Sequence, residues 1–252
     1  MGKGSLVTVY RDAADLEQNV AEEIANVMTA AINDRGVCLV ALSGGETPRQ
    51  IYQRLGRDPL KDRVNWNLVH LFFSDERSVP PNDPQSNYNM VERSLLSKID
   101  IPRHNVHRIK GELAPSLAAQ EYEKELKSTF ADTQGRLDLL LLGVGEDGHT
   151  ASIFPGTDVV DEQSALVRSV KNPNLNIDRV TLTFPILNNA REIRILVSGK
   201  NKSSIVQRVL NTPKPTKDLP ATMIRPVDGN LRWLIDREAA SQIDPATGVR
   251  LQ

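Results

Sequence analysis

The chain has one cysteine, Cys38, among its 252 residues. A single thiol closes no internal disulfide, which excludes a secreted scaffold stapled by bridges. Its place in the apolar run VCLVAL makes it a small core residue. An excess of charge is also lacking: 31 lysines and arginines face 32 aspartates and glutamates, a formal net charge of −1. Nucleic-acid binders usually carry a basic surplus, so no nucleic-acid partner is expected. No apolar stretch is long enough to span a bilayer, and no membrane partner is expected either. The opening MGKGSLVTVYRD has neither the apolar core nor the cleavage pattern of a secretion signal. The expected location is the cytoplasm. Repeats and low-complexity tracts are absent, and NTPKPTKDLP reads as one surface loop. The length allows one large domain or two small ones.

What is present is an alternation of strand-like and helix-like segments. Leu16, Val20, Ile24, Val27 and Met28 recur at helical spacing from Ala14 to Ile32, with Asp12 or Asp15 as the cap. Val37–Leu42 is a continuous apolar run, the mark of a strand covered on both faces. A helix over about Thr47–Leu55, a strand over Asn67–Ser74, a helix over about Ser86–Lys98 and a short NVHRI strand follow. Then come a helix over about Ser116–Phe130, the strand LDLLLLGVG, and strands in SALVRSV, RVTLTF and REIRILVSG. A helix over about Lys200–Leu210 and a last strand, LRWLID, complete the series. Such alternation predicts an α/β fold with a mostly parallel sheet. Ligands of these sheets bind beyond the carboxyl ends of the strands. Four unusual sequences fall there: SGGETP, SDER, GVGEDGH and SGKNK.

Each carries an ordinary and a functional reading. Ser43-Gly44-Gly45 makes a tight turn, and Pro48 suits the first turn of the following helix. A helix start behind a glycine turn is an anion site, or only a turn that needs glycine. In SDER, Arg77 offers a fork suited to phosphate or carboxylate, or a partner for Asp75 and Glu76 in a solvated loop. Gly143, Gly145 and Gly148 satisfy the spacing of a dinucleotide fingerprint. That reading fails: Pro155-Gly156 leaves no room for the long helix it opens, and Glu146 and Asp147 would repel a pyrophosphate. There remains an acid–glycine–histidine turn. His149 can serve as a general base near neutral pH, with Asp147 fixing its tautomer; the alternative is a histidine capping its own short helix. Lys200 and Lys202 sit at a helix start, against the macrodipole, an arrangement eased by a bound anion. His104 and His107 lack a cysteine or acid at ligand spacing, so no metal is expected. His70 reads as a packed strand residue.

In this order and spacing, LSGGETP, FFSDERSVPP, SNYNM, LLLLGVGEDGHTASIFPGT and LVSGKNK resemble the 6-phosphogluconolactonase family, from the first helix to LRWLIDREAA. The resemblance implies one catalytic domain over residues 1–252, with a Rossmann-like sheet related to that of glucosamine-6-phosphate isomerases. It implies hydrolysis of the 1,5-lactone of 6-phosphogluconate, a sugar-phosphate substrate, with no cofactor and no metal. It assigns His149 as general base with Asp147 beside it, Arg77 and Lys202 as phosphate-binding cations, and Ser43, Gly44, Gly45 and Thr47 as the glycine-turn loop. Asp75, Asn87 and Gly145 complete the expected substrate-binding set. Glu46 departs from the small or basic residue usual there, so a phosphate contact is expected from the backbone rather than that side chain. Two rivals share the fold. An aminosugar-phosphate deaminase would carry a glutamate five residues after the histidine, where this chain has Phe154. A sugar-phosphate sensor would be joined to a helix-turn-helix module, which is not legible here, and need not keep Asp147 and His149.

Overall fold

The computed structural model describes residues 6–131, 135–171, 176–243 and 250–251. In chain order the elements are β1 (Leu6–Tyr10), α1 (Ala13–Arg35), β2 (Cys38–Leu42), α2 (Glu46–Leu55), α3 (Leu60–Arg63), β3 (Val69–Phe73), β4 (Asp75–Arg77) and α4 (Asn87–Ser94). They continue with α5 (Pro115–Ala131), β5 (Leu139–Leu142), β6 (Val167–Val170), β7 (Arg179–Leu182), α6 (Phe184–Leu187), β8 (Glu192–Val197), α7 (Ser203–Asn211), β9 (Asn230–Asp236) and β10 (Arg250–Leu251).

Seven strands form one sheet in the order β10-β1-β9-β8-β5-β2-β3, and every neighbouring pair is parallel. The apolar runs mark two of its interior strands. CLVAL of β2 and LLLL of β5 are buried along their whole length, as strands covered on both faces must be. Helix α1 begins where the Asp12 side chain accepts from the Asp15 N–H, and it ends at Gly36 in the left-handed region. Its buried stripe includes Leu16, Val20, Ile24 and Met28, the spacing expected of a helix laid on a sheet. Cys38 is fully buried, and burial pushes its thiol pKa well up.

Several expectations are corrected. SALVRSV and RVTLTF do not extend the parallel sheet. As β6 and β7 they join β4 in a separate antiparallel sheet of order β4-β7-β6. The DER of SDER is thus a strand rather than a loop, because Asp75–Arg77 finds a partner in residues 179–181, about a hundred positions on. NVHRI makes only one bridge, Val106 to Leu71. A 3-10 turn at Arg103–Asn105 precedes it and a turn closed by Gly111 N–H on the Ile109 carbonyl follows, so no second register can form. The helix expected to reach Lys98 stops at Ser94, and that expected from Lys200 starts with a 3-10 turn over Lys200–Lys202. The core is one hydrophobic cluster that includes strands of both sheets.

Of the histidines away from the strand ends, His70 is a packed strand residue as expected, half-buried on β3 and stacked on His107. Its Nδ1 is 2.8 Å from His107 Nε2, and His107 Nδ1 is 2.7 Å from Glu125 of α5. The acid missing near His107 in sequence arrives from a distant helix.

Candidate active site

Strands β8, β5, β2 and β3 are consecutive in the sheet, so all four unusual strand ends open on one edge. Hydrogen bonds stitch them together. Lys202 Nζ donates to the Val144 carbonyl at 3.1 Å, and Asn201 Nδ2 to Glu146 at 3.1 Å. Ser152 Oγ donates to Asp75 at 2.7 Å, and Ser74 N–H to the Leu42 carbonyl at 2.8 Å. The Gly44 turn lies against Asn87, so closely that a Cβ there would stand 2.0 Å from Asn87 Oδ1.

The turn after β5 is built around His149. Gly145 N–H donates to the His149 carbonyl at 2.9 Å, and Gly148 N–H to the Gly145 carbonyl at 2.9 Å. Thr150 Oγ1 fastens the turn to the Gly143 carbonyl at 2.9 Å. Glycine at 145 is required by the imidazole itself: a Cβ would lie 2.1 Å from the His149 ring. Asp147 Oδ1 accepts the His149 N–H at 3.0 Å and lies 2.6 Å from Nδ1. An ionised carboxylate in that place selects the tautomer protonated on Nδ1 and leaves Nε2 as an acceptor. Among the described residues Nε2 has no hydrogen-bond partner. Burial alone would raise the Asp147 pKa, but the ring and backbone hydrogen bonds from His149 bring it below the usual value. Phe154, at the position where a deaminase would carry glutamate, is buried with its ring centroid 4.5 Å from that of His149. The histidine thus has a carboxylate on one side and an apolar wall on the other.

The expected phosphate end shows cations without carboxylates. Among the described residues neither Arg77 nor Lys202 forms an ion pair; Arg77 donates to the Gln85 carbonyl. Lys202 is half-buried, whereas Lys200 is exposed. Gly45, φ 109°, is the cap residue before α2 and no side chain caps the helix, so its first N–H groups remain free for an anion. Thr47 is half-buried in this first turn. Ser43 is buried; its N–H and carbonyl are both satisfied by the Tyr52 hydroxyl at 3.0 Å. Glu46 turns away from the loop. Arg49 takes its carboxylate at 2.9 and 2.5 Å and Gln50 at 2.7 Å, and these bonds, that of Arg49 foremost, lower its pKa.

Asp75 and Asn87, expected as substrate contacts, are engaged within the protein. Both are buried. The Asp75 carboxylate receives Ser152 Oγ and Ser74 Oγ, and Asn87 Nδ2 donates to the Asp75 carbonyl at 2.9 Å. They hold the His149 loop and the Gly44 turn in register, because a desolvated carboxylate must be saturated with donors. Glu76 is likewise enclosed. It accepts from Arg77 N–H, Ser86 Oγ, Asn87 N–H and Tyr88 N–H, and burial raises its pKa against those bonds. Arg77 is therefore not the ion-pair partner of Asp75 or Glu76. Among the described residues no group of three or more His, Cys, Asp or Glu side chains is assembled to hold a metal. No helix among them is long and apolar enough to cross a membrane. The sequence reading gave no role to Ser152, which lies in the His149 loop itself and reaches Asp75 and Thr181, nor to Thr181 and Arg179, which come alongside only through the pairing of β7 with β4.

A family model described as glucosamine-6-phosphate isomerases/6-phosphogluconolactonase matches residues 11–233. A 6-phosphogluconolactonase of Haemophilus influenzae is 36% identical over 79% of this chain and 85% of its own. One from Synechocystis is 37% identical over 86% of this chain and 90% of its own. The solved structure of 6-phosphogluconolactonase from Trypanosoma cruzi superposes with a TM-score of 0.83 at 28% identity, covering 96% of this chain and 98% of that one.

Proposed function

The chain belongs to the glucosamine-6-phosphate isomerase/6-phosphogluconolactonase family, and from that footing we propose that it hydrolyses 6-phospho-D-glucono-1,5-lactone to 6-phosphogluconate, a step of the pentose phosphate pathway. The observation that carries the reading is the Asp147–His149 pair, with Nε2 unengaged, on the same sheet edge as two cations that lack carboxylates.

A lactone is an activated ester, so water needs only positioning and deprotonation. His149 Nε2 takes a proton from water as its oxygen attacks the carbonyl carbon. Asp147, already ionised at neutral pH, stabilises the imidazolium that forms. The ring C–O bond then breaks, and the imidazolium returns its proton to the leaving oxygen. General acid–base help of this kind is worth roughly 10²–10⁴-fold. Arg77, Lys202 and the start of α2 hold the remote phosphate, and that binding sets the carbonyl against His149. The chemistry calls on no cofactor or metal. We read residues 1–252 as one catalytic domain acting in the cytoplasm on a small molecule, without a nucleic-acid or membrane partner.

Proton release from freshly made phosphogluconolactone, corrected for spontaneous hydrolysis, tests the activity. A rate no higher than the spontaneous one refutes it. Glucosamine-6-phosphate is the counter-substrate: with Phe154 in place of the carboxylate, no ammonia should be released, and steady enzyme-dependent release would move the chain to the deaminase branch.

A further inference from the structure

Arg179 opens β7 directly across from Arg77. Opposed residues of an antiparallel pair share a face, and so do residues two positions along. The next opposed pair on that face is Asp75 and Thr181. Both grip Ser152: its Oγ donates to Asp75 at 2.7 Å, and its N–H donates to Thr181 Oγ1 at 3.0 Å. Ser152 lies three residues after His149. The face that bears the two guanidinium groups is therefore the one that anchors the loop of the candidate base.

Like charges opposed across a ladder are destabilising, and no ion pair to either arginine offsets them. Among the described residues neither arginine forms an ion pair. Arg77 donates to the Gln85 carbonyl, and Arg179 to the carbonyls of Ile177 and Asp178 at 2.5 and 3.3 Å. Two of the nearby carboxylates are engaged elsewhere, Asp75 by Ser152, Ser74 and Asn87, and Glu76 by Ser86 and three backbone N–H groups, and the third, Asp178, meets Arg179 only through its backbone carbonyl. Burial of Arg179, and then the charge of Arg77, lower its pKa, although Asp75, Glu76 and Asp178 pull the other way. Two adjoining guanidinium groups short of negative charge complement a dianion, and their planar forks match phosphate oxygens.

We propose that Arg179 is a second guanidinium of the phosphate subsite, acting with Arg77 as a paired clamp that selects phosphorylated lactones over their unphosphorylated counterparts. The proposal rests on the lactonase reading and adds to it a specificity residue. The competing role for Arg179 is purely structural, a staple on the carbonyls of its own turn.

Steady-state kinetics on phosphogluconolactone and gluconolactone, with wild type, Arg179→Gln, Arg179→Lys, Arg77→Gln and the double variant, separates the two. The clamp predicts that Arg179→Gln loses about ten- to a hundred-fold in kcat/KM on the phosphorylated lactone, mostly through KM, and about two-fold or less on gluconolactone. Arg179→Lys recovers part of the loss. The double variant loses less than the product of the two single losses, since both groups serve one dianion. An equal proportional loss on both lactones, or none on either, overturns the clamp. Arg179→Lys serves as the folded control should Arg179→Gln fold poorly: a staple tolerates lysine equally on both substrates, whereas a clamp narrows the gap between them. If wild type itself shows no lactonase activity, the functional reading fails, and titration calorimetry with 6-phosphogluconate judges the clamp separately. Binding that weakens in Arg179→Gln sustains it, and unchanged or absent wild-type binding refutes it.

Discussion

Two clusters of charge, one at the amino ends of the parallel sheet and one on the strands β4 and β7 and the turn that adjoin its carboxyl ends, are built on opposite principles. At the amino ends, buried Asp138 precedes β5 and is saturated. Arg35 approaches it at 2.9 Å, Arg191 at 3.3 Å, and the Leu39 N–H at 2.8 Å. Glu23 of α1 is shared by Arg194 and Arg232 at 2.5 and 2.8 Å in the same manner. At the carboxyl ends the carboxylates Asp75 and Glu76 are satisfied by hydroxyls, amides and backbone N–H groups, and the cations Arg77, Arg179 and Lys202 form no ion pair among the described residues. The residue types are the same. Where each cation has its carboxylate, the cluster closes the fold. Where the carboxylates are taken by neutral donors, a positive field is left for something else to neutralise.

The comparison is broken most severely at the base. His149→Ala removes the proposed proton acceptor and leaves the cations and the amino-end cluster untouched. Turnover should fall by about 10²-fold or more, with little change in KM or in thermal midpoint. A His149→Ala enzyme with near-normal kcat would mean that another group takes the proton.

The next effect is on stability, at the other end. Asp138→Ala leaves two arginines without their shared partner and the buried Leu39 N–H unsatisfied. The cost should be about 2–3 kcal/mol, toward the low side for a broken buried pair because both arginines keep partial access to water. For a chain of this size the thermal midpoint should drop by roughly 5–10 °C, while kcat/KM below the transition stays near wild type. A variant equally stable but catalytically impaired would erase the division of labour between the two ends.

A smaller contrast lies within the site end. Lys202 is half-buried and fixed to the Val144 carbonyl, whereas Lys200 is exposed. Lys202→Ala should cost about ten-fold in kcat/KM on the phosphorylated lactone, and Lys200→Ala about two-fold or less. Similar losses in the two variants would show a diffuse field rather than a placed contact.

The smallest effect is a titration. Hydrogen bonds from His149 keep Asp147 below the usual carboxylate value against its burial, which acts upward. In the His149→Ala protein the Asp147 carboxyl should therefore titrate higher, as carbon-13 NMR of the side-chain carboxyl would record. A depressed folded pKa means that the unfolded chain binds the proton more readily, so the bond contributes stability above the unfolded value of about 3.9. That contribution is lost as pH falls through the folded value. The stability difference between wild type and His149→Ala should shrink over this acid window, and a difference constant with pH would show that the hydrogen bonds do not control the shift.

By itself the sequence determined the elements whose cause is local. Apolar runs of four to six residues marked β2 and β5 as strands covered on both faces, helical spacing of apolar residues behind Asp12 or Asp15 marked α1, and glycines beside acids, with a histidine after β5, marked the ends of β2 and β5 as unusual. The proposed catalytic pair was legible because Asp147 and His149 lie in one tight turn, close enough in the chain to touch whatever the rest does. Only the tertiary structure decided what depends on pairing between distant segments. It set the strand order that puts four turns on one edge, and it made a strand of Asp75–Arg77 by supplying β7. It turned Asp75 inward to hold Ser152, gave His107 its acid from α5, and set Arg179 against Arg77. The reason is physical. Turns, caps and apolar runs draw their free energy from neighbours a few residues away, and their composition shows it. A buried carboxylate or an opposed pair of guanidinium groups takes its partners from whichever strands the packed core brings alongside, and no local composition records that choice.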